Sequence, residues 1–174
     1  MSLVIAVSGS GGSDKKLTNK VLLLAEQVGE EVAAKKAVLL TGGKGGVMRA
    51  ACKGAKRKNG STIGILPFSK DEANEFIDVA LPSNMGYARN RLVVSMADAI
   101  IAIAGRWGTL NEISEACIQQ KPLVLLSGSG GVVDKLVDGQ FVTQEDMFVR
   151  FASSPKNAVE QALGLIEKKD NSKH

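Results

Sequence analysis

Short β-branched and aliphatic runs that end directly in glycine-rich loops recur along this chain, and this arrangement constrains its fold more than any other feature. The runs at Leu3 to Val7, Ala37 to Leu40, Thr62 to Leu66, Ile77 to Leu81, Ala99 to Ile103 and Leu123 to Leu126 read as short, fully buried strands. Such strands belong to a parallel sheet covered on both faces. Helical patterns lie between them, so the expectation is a doubly wound parallel α/β sheet. With roughly 150 residues to a domain, the 174 residues imply a single domain over 1–168 and a frayed tail at 169–174.

The first helical stretch carries Leu17, Val21, Leu24, Ala25, Val28 and Val32 on one face and Lys16, Lys20, Glu26, Gln27 and Glu30 on the other. Its apolar side packs on the sheet. A second helix is expected from Gly46 to Lys58, burying Val47, Met48, Ala51 and Ala55, with Asn59-Gly60 as a left-handed stop. Its Lys53, Lys56, Arg57 and Lys58 form the densest basic cluster, either a solvated face or an anion or nucleic-acid contact. A last helix starts at Ser154-Pro155 and buries Ala158, Val159, Ala162, Leu163 and Ile166.

Composition excludes several classes of function. The 44% apolar and 23% charged residues are those of an ordinary globular chain. The charge of +4 favours anionic small molecules mildly and falls short of a nucleic-acid footprint. Aromatic residues are 4% of the chain, too few for a base-stacking platform. The only histidine is His174, and Cys52 and Cys117 form no CxxC pair, which leaves no zinc site and no histidine base. No apolar segment approaches the ~18 residues that span a membrane, and no basic leader precedes the first strand, so a soluble cytoplasmic protein is expected.

Four glycine loops follow strands: Ser8 to Gly12, Thr41 to Gly46, Gly105 to Thr109, and Ser127 to Gly131. In an open parallel sheet all four project from the carboxyl ends of the strands, where ligands bind at the switch in strand order. Glycines let backbone N–H groups approach a phosphate, and the next helix adds its positive end. Gly9, Ser10, Gly11, Gly42, Gly43, Gly45, Gly46, Gly105, Arg106, Gly108 and Thr109 are therefore the candidate ligand or phosphate contacts. The pentapeptide SGSGG occurs twice, at Ser8 and at Ser127, and reads as two strand-exit turns of one chemistry rather than a duplication. No GxxxxGK[ST] is present, and SGSGGSD lacks the third glycine of a dinucleotide fingerprint.

The stretch from Met85 to Glu115 says most about chemistry. A helix over Met85 to Ala97 places Arg89 on a face with Met85, Leu92, Val93 and Met96, and a buried guanidinium needs an anionic partner. That partner is a ligand, or Asp98 or a glutamate in a structural ion pair; Arg91 lies on another face. Thr109 and Glu112 have capping-box spacing at the start of a helix that buries Leu110, Ile113, Ala116 and Cys117. Glu112 is either that cap or a carboxylate that meets ligand hydroxyls or acts in catalysis. Trp107 is packing or a lid on a ligand ring, and Arg106 is solvated or a phosphate ligand.

TGGKGGVMRAA from Thr41, GILP from Gly64, ARNR from Ala88 and ADAIIAIAGRWGTLNE from Ala97 resemble the LOG and DprA/Smf-related Rossmann superfamily. Most similar is its molybdenum cofactor carrier-like branch, sometimes labelled possible lysine decarboxylases. The resemblance runs to about Val133 and implies a Rossmann-like fold. LOG phosphoribohydrolases carry PGGxGTxxE preceded by an arginine-lysine pair, an interval that Arg89 and Ala104 reproduce. The match implies Gly105, Gly108 and Thr109 as phosphate contacts, with Arg89 and Glu112 in the catalytic positions. Asn90 stands for the lysine, Ala104 for the proline and Arg106 for the second glycine. These departures turn the expectation toward binding of a phosphorylated or nucleotide-like molecule, with molybdenum cofactor as cargo. The alternative is N-glycosidic cleavage of a nucleoside monophosphate, and decarboxylation is set aside because no pyridoxal phosphate lysine is visible. The resemblance also implies a homodimer or homotetramer, while the residue composition itself leads us to expect no metal site, no specific nucleic acid and no membrane partner.

Overall fold

The computed structural model describes residues 2–142 and 148–171. Among the described residues seven strands form one sheet: β1 (Val4–Gly9), β2 (Val38–Thr41), β3 (Thr62–Leu66), β4 (Val79–Pro82), β5 (Ala99–Ile103), β6 (Leu123–Leu126) and β7 (Val149–Ala152). Their order is β4-β3-β2-β1-β5-β6-β7, and every pairing is parallel. The chain winds outward from β1 to β4, then crosses back to place β5 beside β1. That reversal is the switch point of a doubly wound sheet, as the apolar runs led us to expect.

Helices cover both faces. α1 (Asn19–Ala34), α2 (Val47–Arg57) and α6 (Pro155–Asn171) bury their apolar stripes on one side. α3 (Asn90–Met96), α4 (Trp107–Ile118) and α5 (Gly131–Asp138) do so on the other. Strand alternation divides the core accordingly. Ile5 and Val7 of β1 join the α1/α2/α6 side, while Ala6 joins the α3/α4/α5 side. α1 and α2 cross closely because Gly29 faces the backbone of Ala51 and Gly54 faces that of Glu26.

Several elements differ from the sequence reading. β4 begins at Val79 rather than Ile77, since the segment before it is held by the Thr62 hydroxyl donating to the Phe76 carbonyl at 2.6 Å. The helix expected over Met85 to Ala97 splits into a 3-10 turn at Gly86–Arg89 and α3. The left-handed conformations of Asn84 and Gly86 break it. Met85 and Met96 are consequently exposed. Glu26, expected on the solvent face, is buried and pairs with Lys53 and Arg57. Lys56 pairs with Asp78 at 2.7 Å, so much of the basic cluster on α2 is neutralised by its neighbours. α6 runs on through Asn171, past the boundary drawn at residue 168, and 172–174 lie outside the described residues. β7 and α5 had no counterpart in the sequence reading.

The α1–α2 crossing gives a direct test. Gly54→Val drives a branched side chain into the Glu26 carbonyl and should lower unfolding free energy by about 3 kcal/mol, the upper end for overpacking, in urea titration. A loss within 0.5 kcal/mol, the ordinary scale of a surface change, would contradict this crossing.

Candidate functional site

The carboxyl ends of β1 and β5 are adjacent, with Ser8 opposite Ala102 and Gly9 opposite Ile103. The loops that leave them therefore meet. Beyond Ile103 the backbone turns through Ala104 and Gly105, both in the left-handed region at φ 51° and 87°. Thr109 folds back over Gly105, where a Cβ would collide with its side chain. This turn starts α4 at Trp107, with Arg106 as its cap. The capping box expected from Thr109 and Glu112 does not form, because the helix begins three residues earlier than the spacing suggested.

At the start of α4 the N–H groups of Trp107, Gly108 and Thr109 find no acceptor among the described residues, and the first amide engaged is that of Leu110, donating to the Arg106 carbonyl at 2.8 Å. Unfilled N–H groups at a helix start form a place for an anion. The start of α5 differs. Its Val132 and Val133 amides donate to the carbonyls of Gly105 and Ala104 at 2.8 and 3.1 Å. The Asp134 carboxylate receives the Gly128 and Gly130 amides, each at 2.8 Å.

Glu112 lies one turn into α4, buried on its inner side, and accepts a short hydrogen bond from the Ser8 hydroxyl. Burial pushes its carboxyl up to about 7, against the opposing pull of Ser8 and the Arg89 charge. Arg89 ends the 3-10 turn at 7% exposure, and its Nε has no hydrogen-bond partner. Burial pulls its guanidinium below the usual arginine range, while the charge of Glu112 opposes that pull. The guanidinium packs over Gly42, where any Cβ would overlap it. The structural ion pair considered for Arg89 is absent among the described residues. Asp98 sits at the far end of β5 and accepts from the Val4 amide at 2.8 Å.

The remaining candidates fall into two groups. Gly9, Gly43 and Gly46 each touch chain atoms where a Cβ would be: Gly9 meets Val47, Gly43 meets Leu66, and Gly46 meets the Ser10 carbonyl. Gly45 lies against Gly12. These four let the loops pack on one another. Gly11 and Gly108 face open space without positive φ, so nothing in the chain itself requires glycine there. Arg106 is exposed beside Asp14. Trp107 is 79% exposed, so it is not core packing, and Cys117, expected on the inner face, is exposed as well.

Sequence reasoning missed Ser8 and Asn90 as members of this site. Ser8 sits two residues after Ala6 in β1, on the α3/α4 face, and strand alternation was the signal for it. Asn90 donates to Asn111 Oδ1 at 3.0 Å and ties the start of α3 to the first turn of α4. No cluster of three or more metal-ligating side chains occurs among the described residues.

Glu112 predicts a pH dependence of stability. Its folded pKa lies above the ordinary carboxyl value, so its contribution is complete below that value and is lost as pH climbs through about 7. Glu112→Gln should flatten the fall in thermal midpoint between about pH 5 and pH 8. Equal slopes for both proteins would contradict the buried, proton-holding carboxyl.

Comparison with known proteins accords with this architecture. A protein of Archaeoglobus fulgidus without assigned function is 42% identical over 122 residues, covering 70% of this chain and 78% of its own. A probable cytokinin riboside 5'-monophosphate phosphoribohydrolase of Oryza sativa subsp. japonica is 27% identical over 149 residues, covering 75% and 66%. Among solved structures, the molybdenum cofactor binding protein of Rippkaea orientalis superposes with a TM-score of 0.85 at 36% identity, over 95% of this chain and 98% of that one. The molybdenum cofactor carrier protein of Chlamydomonas reinhardtii gives 0.82 at 29% identity, over 95% and 99%. The SLOG cluster4 family model matches residues 2–159. The fold, the switch-point loops and this match agree: the chain belongs to the SLOG cluster4 family.

Proposed function

We propose that this protein binds a phosphorylated, nucleotide-like small molecule across the β1/β5 switch point, as a carrier does, with the pterin phosphate of molybdenum cofactor as its cargo. The observation that carries this reading is Arg89, buried with an unpartnered Nε on the same edge of the sheet as the open amides of α4. A buried guanidinium donor without an acceptor is costly unless a ligand supplies one. The phosphate lies on the amides of Trp107, Gly108 and Thr109, with Arg106 at the rim. The rest of the ligand runs past Glu112 toward Arg89, walled by the loops at Gly9 to Gly11 and Gly42 to Gly46. The two solved molybdenum cofactor proteins, similar over nearly their whole length, support the choice of cargo.

A second reading has its own support in Glu112. A buried carboxyl near pKa 7 exchanges a proton at neutral pH, which is the property of a group that activates water. In that reading Glu112 takes the proton of the water attacking the ribose, and the base departs to leave ribose 5-phosphate. Against it, Asn90 occupies the position of the lysine and is spent on Asn111.

The tests are mass spectrometry of ligand retained through gentle purification and calorimetry with Gly108→Leu. An intact phosphorylated pterin or nucleotide is expected, lost from the variant while the fold persists, because position 108 faces open space. Unchanged affinity in the variant would place the ligand elsewhere. Release of free base from nucleoside monophosphates by the wild type, eliminated in Glu112→Gln, would establish the hydrolase instead.

The same reading includes a cytoplasmic setting and a homodimer or homotetramer. No helix among the described residues is long and apolar enough to cross a membrane. Tyr87, Trp107, Met96 and Ile118 are exposed around α3 and α4, apolar side chains that a subunit contact would cover. Light scattering should give a mass of at least twice 18.3 kDa. A monomer mass at micromolar concentration would overturn the assembly.

A further inference from the structure

The twin SGSGG pentapeptides have a shared role that the ligand reading leaves unused. Each contributes its third residue to the same turn. The Ser10 hydroxyl accepts the Gly105 amide at 3.0 Å, and the Ser129 hydroxyl accepts the Ala104 amide at 2.8 Å. Both serines are buried, at 4% and 3% exposure. The carbonyls of the same two residues are taken by the Val133 and Val132 amides of α5. Every backbone hydrogen-bonding group of Ala104 and Gly105 is thus held, two by the serines and two by α5.

This bonding accounts for an alanine in the left-handed region, which is unfavourable for a non-glycine residue and persists only where surrounding bonds over-determine it. Ser10 is engaged on three sides. Its carbonyl accepts the Val47 amide at 2.9 Å, and its hydroxyl lies beside Asp14, whose carboxyl it holds below the usual range. The Ser10 hydroxyl is thus tied to the turn itself. What it controls is the direction in which the chain leaves Gly105, and hence the aim of the next amides at Trp107, Gly108 and Thr109.

We infer that Ser10 and Ser129 are paired positioning residues, one from each SGSGG loop, that lock the Ala104–Gly105 turn and thereby aim the α4 amides at the ligand's phosphate. This inference rests on the phosphate reading above. Its nearest independent support is Arg89, more than nine-tenths buried with Nε unpartnered on the same edge of the sheet.

The test is calorimetric titration of the full chain with adenosine 5'-monophosphate, together with amide chemical shifts during titration with inorganic phosphate. Ser10→Ala and Ser129→Ala should each weaken adenosine 5'-monophosphate binding about tenfold, the scale of one lost hydrogen bond, and shrink the phosphate-induced shifts at Gly108 and Thr109. A stability effect is separated by the double variant Ser129→Ala with Ala104→Gly. Glycine removes the left-handed penalty and should restore the thermal midpoint, while the tenfold affinity loss persists. Unchanged affinity in both serine variants, or affinity that returns together with the midpoint, would overturn the inference and leave the binding reading standing. A wild type that responds to neither probe would overturn both.

Discussion

The parallel pairing of β1 with β5 is the constraint on which the rest of the structure depends. It spans five residue pairs, from Ile5 with Ala99 to Gly9 with Ile103, and it can form only because the chain returns from β4 to the centre of the sheet. Two loops far apart in sequence then leave the sheet side by side at the switch point. Those loops are glycine-rich because they must interlock. Gly9 lies under Val47 and Gly46 against the Ser10 carbonyl, so the exits of β1 and β2 form one packed layer, to which the exit of β5 is tied by Ser10.

Against that layer the protein keeps an electrostatic arrangement that a purely structural site would not. Arg89 and Glu112 are buried on the same edge of the sheet but form no direct ion pair among the described residues, and Glu112 instead takes its hydrogen bond from Ser8. A directly paired carboxylate would be held well below its ordinary range; here burial wins and pushes Glu112 up to about 7. The guanidinium keeps its charge because arginine does so in almost any surroundings. The result is a buried cation with an open donor beside a carboxyl poised between its two forms. That combination is suited to a ligand carrying both acceptors and hydroxyls, and it is common to the carrier and hydrolase readings.

Much of this was legible in the sequence, for reasons that can be stated residue by residue. Apolar runs such as Ala99 to Ile103 announce buried parallel strands because both faces must be covered. VRFA at Val149–Ala152 does not, since Arg150 interrupts a four-residue stretch. The burial of Arg89 was anticipated, yet through a helical face that does not exist: Gly86 breaks the helix, and the 3-10 turn turns Arg89 inward. Thr109 and Glu112 have the spacing of a cap, but spacing cannot reveal that the left-handed turn at Ala104 and Gly105 starts α4 earlier. The repeated SGSGG was visible from the start. Its meaning was not, because nothing local says that Ser10 and Ser129, the third residue of each pentapeptide, reach one turn from opposite sides.

In the reading proposed above, the open amides of α4 and the unpartnered Arg89 Nε belong to one ligand site. A crystal structure of the protein grown with adenosine 5'-monophosphate tests it most directly. Phosphate oxygens are expected on the amides of Trp107, Gly108 and Thr109, and a ligand acceptor on Arg89 Nε. Phosphate seated on the α2 lysines or at the start of α2, with Arg89 Nε still without a partner, would contradict it.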